Sequence, residues 1–204
     1  MALPALKLEP PDGAQTVLLH SCCAPCSCAI VEALLGASIK PVIFYFNPNI
    51  YPFDEYQKRK AECLRFAAAN NIEQIDGDYC HAGWLEQIKG LEAAPERGAR
   101  CQICFNMRLL KAAQTAKERG IGVFCTTLAS SRWKDLAQIS AAGALAQQRV
   151  GGVKFWAQNW RKGGLQQRRC ELIKDYSFYN QRYCGCEFSM RPAPGTTQPP
   201  ACAK

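Results

Sequence analysis

Short runs of apolar, β-branched and aromatic residues alternate along this chain with longer segments whose apolar positions recur every three or four residues. The runs at 16–20 (TVLLH) and 41–47 (PVIFYFN) read as strands, the second halted by the turn sequence Asn47-Pro48-Asn49. Further strands are predicted at 73–77, 123–128 and 153–157. Helical periodicity covers 26–35, 52–70, 84–89, 95–120, 134–148 and 165–180, with Gly120 as a C-terminal cap. Strands alternating with helices predict an α/β fold: a parallel sheet of about five strands with helices on both faces, a Rossmann-type three-layer sandwich. An N-terminal extension (1–15) is expected to precede one main domain (16–190), and the Pro-, Gly- and Thr-containing stretch 191–204 reads as a flexible tail.

In such sheets the functional site lies beyond the carboxyl ends of the strands, where the strand order reverses. The loops expected there are Ser21-Cys22-Cys23-Ala24-Pro25-Cys26, Asn47-Pro48-Asn49, the segment 126–131, and Asn159-Trp160-Arg161-Lys162. The chemically unusual residues therefore gather on one rim.

Composition sharpens this picture in three ways. With 204 residues and 48% hydrophobic content, the chain can bury a single core. No apolar run approaches the ~20 residues of a membrane span, and Lys7, Glu9, Pro10 and Pro11 interrupt the start in a way signal peptides do not, so a cytoplasmic location is expected. In that reducing compartment the 13 cysteines, an odd number, point to metal binding, catalysis or packing rather than a disulfide framework. Cys28, Cys63, Cys125 and Cys170 stand alone in apolar or helical surroundings and are assigned to core packing; Cys202 is incidental. A formal net charge of +8 favours a polyanionic partner.

Three cysteine groups remain. The first is CCAPC (Cys22, Cys23, Cys26), and the second is Cys101-Gln102-Ile103-Cys104 at the start of a helix. Brought together by the fold, they supply enough soft thiolates for a zinc site or an iron–sulfur cluster, or form redox thiols without metal. Adjacent ligands such as Cys22 and Cys23 suit a cluster, which offers separate irons, better than a zinc knuckle. The third group, Cys184-Gly185-Cys186, is close enough in sequence for a strained, easily reduced disulfide, with Gly185 giving the backbone freedom; its alternative is a pair of thiols that end a helix.

Five motifs in order, LLHSCCAPCS, NPNIYPFDEYQKR, CQICFNMRLL, CTTLASSRWK and YNQRYCGCEFS, make the chain similar to the QueH family of epoxyqueuosine reductases over about 16–190. The resemblance implies a HUP-like α/β fold in a catalytic domain and a [4Fe–4S] cluster on Cys22, Cys23, Cys101 and Cys104. It also implies a redox-active pair at Cys184 and Cys186, and tRNA carrying epoxyqueuosine as substrate. Deoxygenating an epoxide takes two electrons and two protons, so an external electron donor is implied as well. Cys26 is a substitute ligand or a proton donor, and His20 a proton donor or a hydrogen-bonded wall residue. Where Cys80 stands the family is expected to carry an acidic residue; Asp78 is retained as a candidate ligand of an additional iron.

For the RNA, basic and aromatic side chains near the rim form the candidate footprint: Tyr45, Tyr51, Tyr56, Arg59, Arg132, Trp133, Lys134, Trp160, Arg161 and Lys162. Two rivals stand beside this reading. An ATP-pyrophosphatase-type tRNA thiolase needs a Ser-Gly-Gly phosphate loop where this chain has HSCCAPC. A non-catalytic zinc-dependent RNA-binding module needs only the thiolates.

Overall fold

The computed structural model describes residues 7–190. Five strands, β1 (Thr16–His20), β2 (Lys40–Tyr45), β3 (Gln74–Asp76), β4 (Val123–Thr126) and β5 (Lys154–Phe155), form one sheet in the order β3-β2-β1-β4-β5. Every neighbouring pair is parallel, with Leu18 opposite Val42 on one side and Phe124 on the other. Because successive strand residues point to opposite faces and both faces are covered, the middles of the central strands are apolar at successive positions, Val17–Leu19 and Val42–Tyr45. Val17, Leu19, Ile43, Tyr45 and Cys125 enter one core with α1 (Ala24–Gly36), α2 (Phe53–Ala69) and α6 (Leu165–Asp175). Leu18, Phe44 and Phe124 enter the other, under α4 (Ala99–Glu118) and α5 (Leu136–Val150). The short α3 (His81–Gln87) packs Trp84 into a third, smaller cluster with Ile88, Cys104 and Cys186. This is the expected three-layer α/β arrangement.

Several boundaries differ from the sequence expectation for physical reasons. α1 starts two residues early because Pro25, in the first turn, needs no hydrogen-bond partner and is already set for helix. α5 starts at Leu136 because the Asp135 carboxylate accepts from the Ala137 and Gln138 amides at 2.7 and 3.2 Å. α6 ends at Asp175 rather than 180: Ser177 takes a left-handed φ of 49°, and Phe178 turns inward to meet Phe66 edge-on. The last strand contracts to two residues, over which Gly143 of α5 passes so closely that a Cβ there would fall 2.2 Å from the Phe155 ring. Cys28, Cys63 and Cys125 are core residues as expected, whereas Cys170 is only half-buried on α6, whose exposed face it borders. The predicted tail, with Cys202, lies outside the described residues. Among those described, no helix is long and apolar enough to cross a membrane.

The strand order reverses between β1 and β4: the chain adds β2 and β3 on one side of β1, then β4 and β5 on the other. The loops after β1 and β4 therefore open the crevice at which such sheets bind ligands.

Candidate metal centre

CCAPC occupies that switch point. Cys23 is the N-cap of α1, with Cys26 in the first turn, so the three thiols of the motif fold back onto one another. Their sulfurs all lie within 4.8 Å of one another, with Cys22 and Cys23 at 3.8 Å. The loop is pinned from both sides of the sheet. The Cys22 amide donates to Thr127 Oγ1 at 3.1 Å, and that hydroxyl lies 3.3 Å from Cys22 Sγ. Asn47 Nδ2 donates to the Ser21 carbonyl at 2.9 Å, Arg169 Nε to the Pro25 carbonyl at 2.7 Å, and Gln181 Nε2 to Cys23 Sγ at 2.9 Å.

The three thiols differ in proton affinity. Hydrogen bonds from Cys23 and Cys26, helped by the charges of Lys134 and Arg108, hold Cys22 well below the ordinary thiol range despite its burial. Burial pushes Cys23 well up, and its hydrogen bond to Cys22 raises Cys26. Proton affinity is thus lowest at Cys22 within the group. Soft sulfur donors of this kind, beside cations that balance their charge, fit a thiolate-bound metal.

The second group approaches from α4. Cys101 and Cys104 lie outside the close three-sulfur group but face the same crevice. Cys101 and Cys22 both pack on the core beneath α4, and Arg108 reaches from one group to the other. Arg108 NH1 is 4.0 Å from Cys104 Sγ, and its charge acts on Cys22. Burial raises the pKa of both Cys101 and Cys104. A single ion needs its ligands in close contact. A cubane takes its thiolates on different corners, so a donor set wider than the Cys22–Cys23–Cys26 triangle suits it.

The third group completes the crevice. Cys186 shares the small cluster of Cys104 and Trp84, and burial pushes its thiol up to about 11. Cys184 is exposed, and its charge is felt at Cys101, Cys104 and Lys134. Both are free thiols; no disulfide joins them. Gly185 has φ 141°, open to glycine and strained for any other residue, and its carbonyl accepts from the Tyr51 amide at 2.8 Å. Arg59 secures the same loop, donating to the Cys184 and Tyr183 carbonyls at 3.1 and 3.3 Å while paired with Glu55 at 2.7 Å.

Other predicted residues take different places. His20 is fully buried, 2.8 Å from Thr126 Oγ1 and 3.1 Å from the Phe46 carbonyl. Burial, then the Arg108 charge, lowers its pKa to about 3, so it is a neutral wall residue rather than an imidazolium donor. Since unfolding restores a pKa of 6.5, the neutral form stabilises the fold fully above that pH, and the contribution drains away as pH falls toward 3. Between pH 7 and 5 the wild type is expected to lose about 2 kcal/mol more than His20→Gln. Urea unfolding at the two pH values checks this, and equal losses would refute the buried-neutral assignment.

Asp78 is exposed with φ 62°, its charge acts on Tyr56, and among the described residues no group of three close metal donors includes it. Tyr45, Tyr56, Arg59 and Trp160 are almost fully buried and present no face to an RNA. Arg161 is a loop clamp, donating to the Ser131 and Lys134 carbonyls at 2.5 and 2.6 Å. Tyr51, Arg132, Trp133 and Lys162 are exposed, Trp133 at 60% the most open large apolar side chain among the described residues, with Arg132 lying over its ring. Lys134, one residue on, turns inward toward the thiols.

Arg108, Asn47, Thr127 and Gln181 are the site residues that motif reading missed as individuals. For Arg108 the available signal was its place four residues after Cys104, one helical turn along the same face.

A sequence model of the family described as epoxyqueuosine reductase QueH matches residues 17–192. The chain is 49% identical over 185 residues to the epoxyqueuosine reductase QueH of Histophilus somni, covering 91% of this chain and 76% of that protein. It is 47% identical over 191 residues to the Acinetobacter baylyi protein of the same name, covering 94% and 88%. The corresponding Thermotoga maritima protein is 35% identical over 178 residues, covering 86% and 90%.

Proposed function

The chain belongs to the QueH family of epoxyqueuosine reductases, and on that premise we propose that it converts epoxyqueuosine in a tRNA anticodon loop to queuosine in the cytoplasm. The observation that supports the proposal is the close triangle of Cys22, Cys23 and Cys26 sulfurs at the switch point of the sheet, with Cys104 and Cys186 packed together in a neighbouring cluster. A [4Fe–4S] cluster held by Cys22, Cys23, Cys101 and Cys104, with Cys26 as the alternative ligand on the first loop, would supply electrons singly and an acidic iron for the epoxide oxygen.

The protein's own groups account for the remaining requirements. Oxidising the Cys184 and Cys186 thiols to a disulfide releases two electrons and two protons, which balances conversion of an epoxide to an alkene and water. The external donor then returns the pair to dithiol. Cys184 stands exposed to substrate while Cys186 lies against Cys104, so the pair connects the surface to the buried sulfurs. Lys134 holds its proton firmly: burial pulls its pKa down, but the charges of Cys184, Cys22 and Cys26 outweigh that and raise it. The ammonium therefore faces the crevice as a permanent cation.

The exposed strip of Arg132, Trp133 and Lys162 supplies phosphate contacts and a stacking surface for an unpaired base. Neutralising Arg132 and Lys162 together is expected to weaken tRNA binding and lower the slope of log affinity against log salt by about 1 to 2. Filter binding at several salt concentrations measures this, and an unchanged slope would remove the strip from the footprint. Mass spectrometry of tRNA nucleosides tests the function itself. Deleting the gene, in a cell with no second enzyme for the step, should cause epoxyqueuosine to accumulate; undiminished queuosine would refute the proposal.

A further inference from the structure

Arg108 is a buried cation that meets no carboxylate among the described residues. Only 2% exposed, it donates from NH2 to Asn47 Oδ1 at 2.5 Å and faces His20 Nε2 from Nε at 3.4 Å, with NH1 4.0 Å from Cys104 Sγ. The asparagine is neutral, and the histidine is held neutral by its burial. Lys134, half-buried just before α5, feels the charges of Cys184, Cys22 and Cys26, opposed by the like charge of Arg108. Two further arginines are buried near the site among the described residues: Arg59 is paired with Glu55 at 2.7 Å, and Arg100, beside Cys101, spends its donors on the Glu92 and Ala94 carbonyls at 2.6 and 2.5 Å. A charge taken out of water is strongly disfavoured unless an opposite charge meets it. For Arg108 and Lys134, sulfur is the opposite charge within reach.

We propose that Arg108, assisted by Lys134, neutralises the thiolate centre and thereby sets how readily that centre accepts an electron. The proposal rests on the reading of the sulfurs as an iron–sulfur site and adds a role which that reading does not contain. Each electron added to a thiolate-bound centre makes it more negative, and a fixed cation within the same low-dielectric wall stabilises the reduced state more than the oxidised one. Arg108 is placed for this because it touches Cys104 directly and acts on Cys22, so one charge serves both cysteine groups. Its bond to Asn47 ties α4 to the turn after β2, which fixes the guanidinium instead of leaving it free to swing toward solvent.

The test is a spectroscopic redox titration of protein purified without oxygen, for the wild type, Arg108→Gln, Arg108→Lys and Lys134→Gln. Arg108→Gln should lower the equilibrium constant for one-electron reduction at least tenfold, 59 mV more negative. Arg108→Lys, which keeps the charge, should stay within about threefold of wild type. Lys134→Gln, outside any helix or strand, should shift in the same direction as Arg108→Gln and by less. It provides the reading should Arg108→Gln fail to fold. An unchanged potential in Lys134→Gln and in any folded Arg108→Gln overturns the role, as does Arg108→Lys shifting as far as Arg108→Gln, since geometry rather than charge would then be responsible. A wild type that holds no iron overturns the reductase reading and this role with it; iron-loaded variants at the wild-type potential overturn this role alone.

Discussion

Cys22→Ser and Cys23→Ser, made together, are expected to yield a folded protein without iron whose epoxyqueuosine reduction falls by at least about 100-fold, since loss of a partner one shell further out already costs 10- to 100-fold. The fold should survive because Cys22 is half-buried and Cys23, though buried, stands at a helix N-cap that serine fills well. Cys101→Ser with Cys104→Ser provides the discriminating partner experiment. If α4 contributes ligands, this pair also loses iron; if iron is retained in full, the metal is held by Cys22, Cys23 and Cys26 alone. Iron and acid-labile sulfide analysis beside circular dichroism separates ligand loss from unfolding.

The second large effect concerns the C-terminal loop. Cys184→Ser and Cys186→Ser, singly, should each retain iron and tRNA affinity but lower kcat by about 100-fold, the low end of what a positioned proton donor contributes. Burial pushes the Cys186 thiol up to about 11, so it holds its proton through the neutral range until electrons leave with it. A single turnover with chemically pre-reduced protein distinguishes the proposed role from mere packing. If Cys184→Ser completes that turnover and recycles at the wild-type rate, the pair has no redox part in the reaction.

Much of the architecture was legible because the central strands are buried on both faces and run apolar through their middles. Thr16–His20 coincides with the sequence prediction for that reason. Edge elements were less legible. Lys154–Phe155 and the end of α6 are decided by tertiary contacts, Gly143 against Phe155 and Phe178 against Phe66, which no local pattern records. The sulfurs were legible because cysteines clustered in a reducing context have few other uses, and because the first cluster fell where this topology opens its crevice.

The side chains around the sulfurs were not. An arginine inside an amphipathic helix reads as a solvated charge until the packing angle of the helix is known, and α4 turns Arg108 inward against His20 and Asn47. The reverse error affected Tyr56, Arg59 and Trp160. Their positions in or near strand-end loops suggested an RNA surface, yet they form the wall behind it: Arg59 as a staple for the Cys184 loop, Tyr56 and Trp160 as packing. The motif also placed four ligands in one set, whereas the structure draws Cys26 tightly to Cys22 and Cys23 and leaves Cys101 and Cys104 across the crevice, joined to them through Arg108.

Everything in this account depends on these separated sulfurs acting as one iron–sulfur centre. Iron and acid-labile sulfide measured on protein prepared without oxygen test that most directly. The expected result is about four of each per chain, with broad visible absorption from thiolate-to-iron charge transfer that bleaches on reduction. A colourless protein containing one zinc and no sulfide would contradict it.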